Sequence, residues 1–147
     1  MAFSLSVFDK ETQANNGAWL HLINPETGKP AYLDEEEKQP VRIKLRGMKS
    51  SVFEQKQVDL MREMRQKQKD NKEEEQEITL EDLQKSKEKA AELYASLTIE
   101  LENIPSFDGN GLLKCSFDNL KKLYLNYLDI RVQVGEFIAK DSNFIKG

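Results

Sequence analysis

The last third of the chain constrains the fold most, because its apolar residues recur at helical spacing almost to the end. A turn-rich segment, residues 107–111, precedes Ser116, whose side chain can start a helix by accepting a backbone N–H. Steps of three and four residues then place one apolar stripe on each of two helical segments. We therefore predict a packed helical unit over residues 116–141. Its apolar positions are Phe117, Leu120, Leu123, Tyr124, Tyr127, Leu128, Ile130, Val134, Phe137 and Ile138.

A second helix has a specific start signal at Thr79. The Thr79 oxygen can accept the backbone N–H of Asp82 while the Asp82 carboxylate reaches back, which is the arrangement of a capping box. An apolar stripe follows and continues to Leu101, and Pro105 cannot continue a helix. The pattern predicts a helix over residues 79–102.

A third helix is predicted over residues 51–69, where Ser50 or Ser51 can cap the first turn. Its apolar face is followed by a segment that is almost entirely charged, with basic residues first and acidic residues after them. In one uninterrupted helix this order opposes the helix dipole. We therefore expect the helix to end in a charged linker near residues 70–77.

The first 47 residues have the alternation of strands instead. Residues 2–7 and 41–45 alternate apolar and polar side chains, and residues 18–23 are also predicted to form a strand. A return strand carrying Tyr32 and Leu33 follows a turn that contains proline and glycine. Alternation of this kind is typical of an antiparallel sheet with one solvated face. These patterns together predict an α+β, mainly α fold, with a small N-terminal antiparallel sheet (residues 1–47) followed by a bundle of three to four helices (residues 48–147), all in one domain.

Composition excludes several classes of function. The 147 residues include 22 Lys and Arg against 26 Asp and Glu, and the net charge of -4 argues against a nucleic-acid binder. No apolar run approaches the roughly 20 residues that cross a bilayer, and no secretory leader is evident, so we expect a cytosolic protein that binds neither nucleic acid nor membrane. One histidine and one cysteine give no support for a zinc site or a nucleophilic dyad. We predict no enzyme activity, no metal and no cofactor.

The single cysteine, Cys115, excludes an intramolecular disulfide. We interpret Cys115 as a small packed side chain. Its position beside the helix start at Ser116 leaves open the alternative of a thiol whose pKa is lowered by the helix dipole.

Several segments together resemble the tail assembly chaperones of long-tailed, siphovirus-type bacteriophages. The similarity spans roughly residues 40–144, and at the position where many members have a tryptophan this chain has Leu101. The matching segments are 41–47, 50–53, the glycine-containing turn with 112–113, 116–119, the leucine-rich helix ending near 127, 130–134 and 137–144.

The resemblance implies a protein that binds the long, helical tape measure protein, keeps it soluble and promotes polymerisation of the tail tube around it. In that family the tail tube protein is recruited by a frameshift-extended form, and the chaperone acts in the host cytoplasm and is absent from the mature virion. Self-association is a further expectation. The alternative is a structural tail completion or head–tail connector protein of the virion.

A chaperone of this kind needs amphipathic helices that present apolar grooves to another helix. We expect that surface to be formed by the first and last helices in chain order, which are predicted over residues 51–69 and 116–141. The predicted partner-binding residues are Phe53, Leu60, Met64, Tyr124 and Phe137.

Overall fold

A computed structural model describes residues 4–70 and 79–145, and of residues 67–70 the backbone alone. The predicted linker near residues 70–77 lies almost entirely outside the described residues. The described part has an α+β fold whose elements are α1 (Lys10–Asn16), β1 (Ala18–His21), β2 (Arg42–Leu45), α2 (Ser51–Asp70), α3 (Leu80–Leu97), β3 (Thr98–Glu102), α4 (Phe117–Asn126) and α5 (Leu128–Ile138). Short 3-10 helices at Leu5–Phe8 and Asp141–Phe144 flank them.

The sheet differs from the predicted one in where its third strand comes from. The strand order is β1-β2-β3 with both pairs antiparallel, so the central strand β2 pairs with a strand that follows α3. The predicted helix over residues 79–102 therefore ends at Leu97, and its last five residues form β3. Thr98 donates its hydroxyl hydrogen to the Tyr94 carbonyl at 2.7 Å, a local bond that suits β-branched residues at a helix end. Pairing with Arg42–Leu45 then stabilises the extended backbone.

The predicted strand at residues 2–7 is wrong over the part that the structure describes. Leu5–Phe8 is a 3-10 helix, started by the Ser4 side chain, which accepts the Ser6 backbone N–H. Leu5 is largely exposed, so the alternating apolar side chains do not form the buried face of a strand. The return strand through Tyr32 and Leu33 is reduced to isolated bridges, of which Tyr32 with Pro40 is one.

Helix α1 occupies a polar stretch for which we predicted neither a helix nor a strand. The Asp9 carboxylate accepts the Thr12 backbone N–H at 3.0 Å and starts the helix. Gly17 ends it with φ 79° and ψ 170°, a conformation that is essentially restricted to glycine. A Cβ at this position would lie 2.6 Å from Ile99 Cδ1 and 2.9 Å from the Leu45 carbonyl oxygen. Gly17 therefore allows α1 to turn directly into the sheet.

The predicted unit over residues 116–141 is two helices, α4 and α5, separated at Tyr127. Ser116 caps α4 as predicted, because its side chain accepts the Asn119 backbone N–H at 3.3 Å. The Arg131 guanidinium donates to the Tyr124 and Leu125 carbonyls at 3.0 and 3.3 Å, which satisfies the open C-terminal end of α4. One side chain of α5 therefore stabilises the break between the two helices.

The core lies between the inner face of the sheet and helices α3, α4 and α5. The outer face of the sheet is polar. There the Arg42 guanidinium lies 4.6 Å from the centre of the Trp19 ring and pairs with Glu102. Fully or almost fully buried core side chains are Ile43 and Leu45 of β2, Ala91, Ala95 and Leu97 of α3, Leu120, Leu123 and Tyr124 of α4, and Val134 and Ile138 of α5. In contrast, Phe53 is the only buried side chain within residues 51–66 of α2.

The capping box of α3 is confirmed and supports a stability prediction. Asp82 N donates to Thr79 Oγ1 at 3.2 Å, and Thr79 N donates to Asp82 Oδ2 at 3.1 Å. Thr79→Ala should lower the free energy of unfolding by about 1 kcal/mol, because the Asp82 N–H loses its acceptor. Urea denaturation followed by circular dichroism measures this change. Lys87→Ala, at an exposed site within the helix, should be nearly neutral, and equal losses for the two variants would contradict the capping role.

Candidate functional site

An open groove lies between α2 and α3. Its volume is about 640 Å³, and it is lined by residues of these two helices alone. We call it the α2–α3 groove and define it by its apolar lining residues, which are Phe53, Leu60 and Met64 of α2 and Ala90 and Leu93 of α3.

The groove is open because, within residues 51–66, only the first turn of α2 contributes a buried side chain. The Ser50 side chain caps α2, accepting the Phe53 backbone N–H at 3.3 Å and donating to the Gly47 carbonyl at 2.6 Å. Ser50 and Phe53 are buried, and this fixes the start of the helix. Two and three turns beyond, Leu60 is 45% exposed and Met64 is 55% exposed. The apolar stripe of α2 therefore continues beyond the buried first turn with its side chains about half exposed.

Charged side chains form both rims of the groove. Lys56, Asp59 and Glu63 stand on the α2 side. The α3 side contributes Asp82, Lys85, Lys89 and Glu92. Three cationic and four anionic groups leave the rim close to neutral, so the groove offers an apolar floor between solvated edges.

One ion pair joins the two rims. Lys89 Nζ lies in direct contact with Glu63 Oε2, and the two side chains are 40% and 56% exposed. The other pairs at the groove lead away from it: Lys85 bonds Glu81 along α3 at 3.5 Å, and Lys121 of α4 bonds Glu92 at 3.0 Å. The Glu63–Lys89 pair thus links the side chains of α2 and α3 across the groove.

Three of the five predicted partner-binding residues meet in this groove. Phe53, Leu60 and Met64 line one wall, at the helical spacing from which they were selected. Phe137 is elsewhere, half-buried with its ring 5.5 Å from that of Phe144. Tyr124 has 0% exposure and so offers no surface to a partner. The amphipathic pattern identified all five residues, yet it does not distinguish a stripe that packs inward from one left open.

Tyr124 is instead a central core residue. Thr98 gives its one hydroxyl hydrogen to the Tyr94 carbonyl, so the bond of 2.5 Å between the two hydroxyl groups is donated by Tyr124 to Thr98. The Tyr94 ring packs edge-on against the Tyr124 ring with centroids 5.9 Å apart. Burial raises the pKa of Tyr124, so the phenol stays protonated. These contacts join α3, β3 and α4.

A second apolar depression lies beside the start of α5. Its other side is a hairpin of residues 22–31, which is closed by the bridge between Ile23 and Pro30. The depression has a volume of about 460 Å³, and its exposed apolar residues are Ile23, Tyr127 and Leu128. Gln133 accepts the Ile23 backbone N–H at 2.7 Å and donates to the Ile23 carbonyl at 2.9 Å. The Gln133 amide thus pairs with the chain in the manner of a neighbouring strand and fixes this hairpin to α5.

Cys115 differs from both interpretations of the sequence. It is exposed, not packed, with its sulfur 3.7 Å from the Ile99 carbonyl. Partial burial of the sulfur, and then the nearby Glu100 carboxylate, raise the pKa of the thiol. The pKa of the thiol is thus shifted in the direction opposite to the lowering that the alternative interpretation gave.

Catalytic or metal-binding clusters are not seen at the groove. No group of three or more His, Cys, Asp and Glu side chains is placed to hold a metal ion within the described ranges 4–66 and 79–145. In the same part of the chain, no helix has both the length and the apolar character needed to cross a membrane. Comparisons of the chain with protein-family models, with curated proteins and with solved structures gave no match.

Proposed function

We propose that this chain is a tail assembly chaperone of a long-tailed bacteriophage. In this proposal it binds the tape measure protein, keeps it soluble and promotes polymerisation of the tail tube around it, in the host cytoplasm and without entering the mature virion. The observation that supports it best is the α2–α3 groove, an open apolar surface with charged rims. The choice of the tape measure protein as the partner rests on the resemblance of residues 40–144 to this family.

The dimensions of the groove suit a helix. Phe53 and Met64 are eleven residues apart, so the apolar wall of α2 is about 16 Å long, which corresponds to three helical turns. An amphipathic helix with apolar residues at positions i, i+3 or i+4, and i+7 places them over such a wall. A long helical protein that repeats this pattern offers many equivalent segments. Such repetition is expected in a protein that spans the length of a tail.

The charged rims suit the two other demands on a chaperone. They keep the complex solvated, because Lys and Glu side chains surround the apolar contact. A contact of three turns is also small compared with a permanent interface, which favours displacement by tail tube protein. Recruitment of the tail tube protein through a frameshift-extended form, and self-association along the tape measure protein, belong to the same proposal.

Co-expression tests the proposal directly. The partner is the large, helix-rich protein encoded immediately downstream, produced with and without this chain in the same host. We expect the partner to become soluble and to co-purify with this chain, because its apolar stripe is covered in the groove. An insoluble, unbound partner at matched expression levels would contradict the proposal.

A structural role in the virion is the second candidate, favoured by the other apolar depression. Ile23, Tyr127 and Leu128 are exposed there beside a hairpin that Gln133 fixes to α5, and a rigid apolar patch is typical of permanent contacts. Mass spectrometry of purified particles separates the candidates. A tail completion or connector protein is present in fixed copy number, whereas a chaperone is absent.

A further inference from the structure

Beyond its first turn, α2 has few contacts that hold it against α3. Residues 54–66 are exposed, apart from the half-buried Asp59. The start of the helix is held firmly: Phe53 is buried, and the Ser51 backbone N–H donates to the Asn15 side chain at 2.9 Å. Within residues 51–66, helix α2 is therefore held mainly at its first turn, and we call residues 54–66 the α2 arm.

The Glu63–Lys89 pair lies far along this arm. Glu63 is ten residues beyond Phe53, which places it about 15 Å along the helix axis from the buried anchor. Both side chains line the α2–α3 groove from opposite walls. A helix that packs between two others needs about 8–10 Å between its axis and each neighbour. The Glu63–Lys89 pair crosses from one wall of the groove to the other, so a helix that enters at this level has to displace it.

We propose that the Glu63–Lys89 pair is a latch that holds the α2 arm closed against α3 and that opens when a partner helix enters the groove. The identity of the partner rests on the proposed function, but the closed and open positions of the arm do not. The arm pivots at its first turn, where Ser50 and Phe53 hold the helix start, and its motion widens the groove at the level of Leu60 and Met64.

The exposure of the pair makes the latch weak and sensitive to salt. Ion pairs between exposed side chains stabilise by a few tenths to one kcal/mol, so loss of this pair should raise the ratio of open to closed arm about two- to fivefold. Screening by salt acts in the same direction. Added salt should therefore strengthen partner binding, the reverse of what attraction between a charged partner and the groove would give.

Spin labels test the latch without any partner. Cysteines replace the exposed Arg65 and Lys87 in a Cys115→Ser background, and pulsed dipolar spectroscopy measures the distance distribution between α2 and α3. We expect Glu63→Gln and Lys89→Gln each to shift the distribution towards longer distances. The ratio of long-distance to short-distance populations should rise about two- to fivefold. The double exchange Glu63→Lys with Lys89→Glu should restore the original distribution. In 1 M NaCl the parent protein should move towards the Glu63→Gln distribution.

Lys121→Gln is the matched control. It removes an ion pair of similar exposure that joins α3 to α4, so it should leave the α2–α3 distances unchanged. Unshifted distributions in Glu63→Gln and Lys89→Gln overturn the latch, and so does an equal shift in Lys121→Gln. Co-expression of Glu63→Gln with the downstream helix-rich protein separates the two proposals. Shifted distances without capture of that protein contradict the chaperone function alone, whereas capture with unshifted distances contradicts the latch alone.

Discussion

Leu60→Glu with Met64→Glu should abolish capture of the helical partner while the fold remains intact. Both side chains are about half exposed, so the unbound protein tolerates the carboxylates in water. In the complex the same carboxylates would be buried against an apolar stripe, and removing a charge from water in this way is costly. We expect the affinity for the partner to fall at least about a hundredfold.

Met61→Glu is the matched control for this experiment. Met61 belongs to the same helix and is 64% exposed, but it does not line the groove. Pull-down of the co-expressed partner measures the effect, and circular dichroism shows whether each variant is folded. Equal capture by the Leu60/Met64 variant and the parent, or equal loss in Met61→Glu, would show that the groove is not the binding surface.

Tyr124→Ala should have the largest effect on stability. The ring is fully buried among α3, β3 and α4, and its hydroxyl group is bonded to Thr98. Removing a buried aromatic side chain leaves a cavity and lowers the free energy of unfolding by about 4 kcal/mol. This is a large part of the 5–15 kcal/mol that is typical of a domain, so we expect a much lower urea midpoint.

Two further variants divide this effect into its parts. Tyr124→Phe keeps the ring and removes the hydrogen bond to Thr98, which should lower the free energy of unfolding by about 1 kcal/mol. Tyr127→Ala, three residues along the chain and about half exposed, should also cost about 1 kcal/mol or less. A Tyr124→Ala variant as stable as Tyr127→Ala would contradict the central position of the Tyr124 ring.

The two predictions concern residues that occupy the same kind of position in the sequence pattern. Met64 and Tyr124 each belong to an apolar stripe at helical spacing, and each was predicted to bind a partner. In the structure Met64 lines an open groove, whereas Tyr124 is inside the core. The difference arises because Leu120, Leu123 and Tyr124 of α4 are buried by the neighbouring elements, whereas residues 54–66 of α2 are exposed apart from the half-buried Asp59. The functional surface is therefore the part of an amphipathic pattern that no other element covers.

Local signals determined several features of this protein. The capping box at Thr79, the helix start at Ser116 and the alternation of β2 each depend on residues that are neighbours in the chain, and the structure contains all three. Their physical basis is short-range, because a side chain satisfies a backbone N–H within three residues or a strand alternates with period two. The α+β class followed from the same signals.

Tertiary structure alone decided the rest. Residues 98–102 continue the helical stripe of α3, yet they form a strand because β2 offers unpaired backbone groups and the core accepts their side chains. The Glu63–Lys89 pair and the α2–α3 groove likewise join residues 26 or more positions apart. Periodicity specifies which face of a helix is apolar, but only the packing of the other elements specifies which apolar faces become covered and which remain open to a partner.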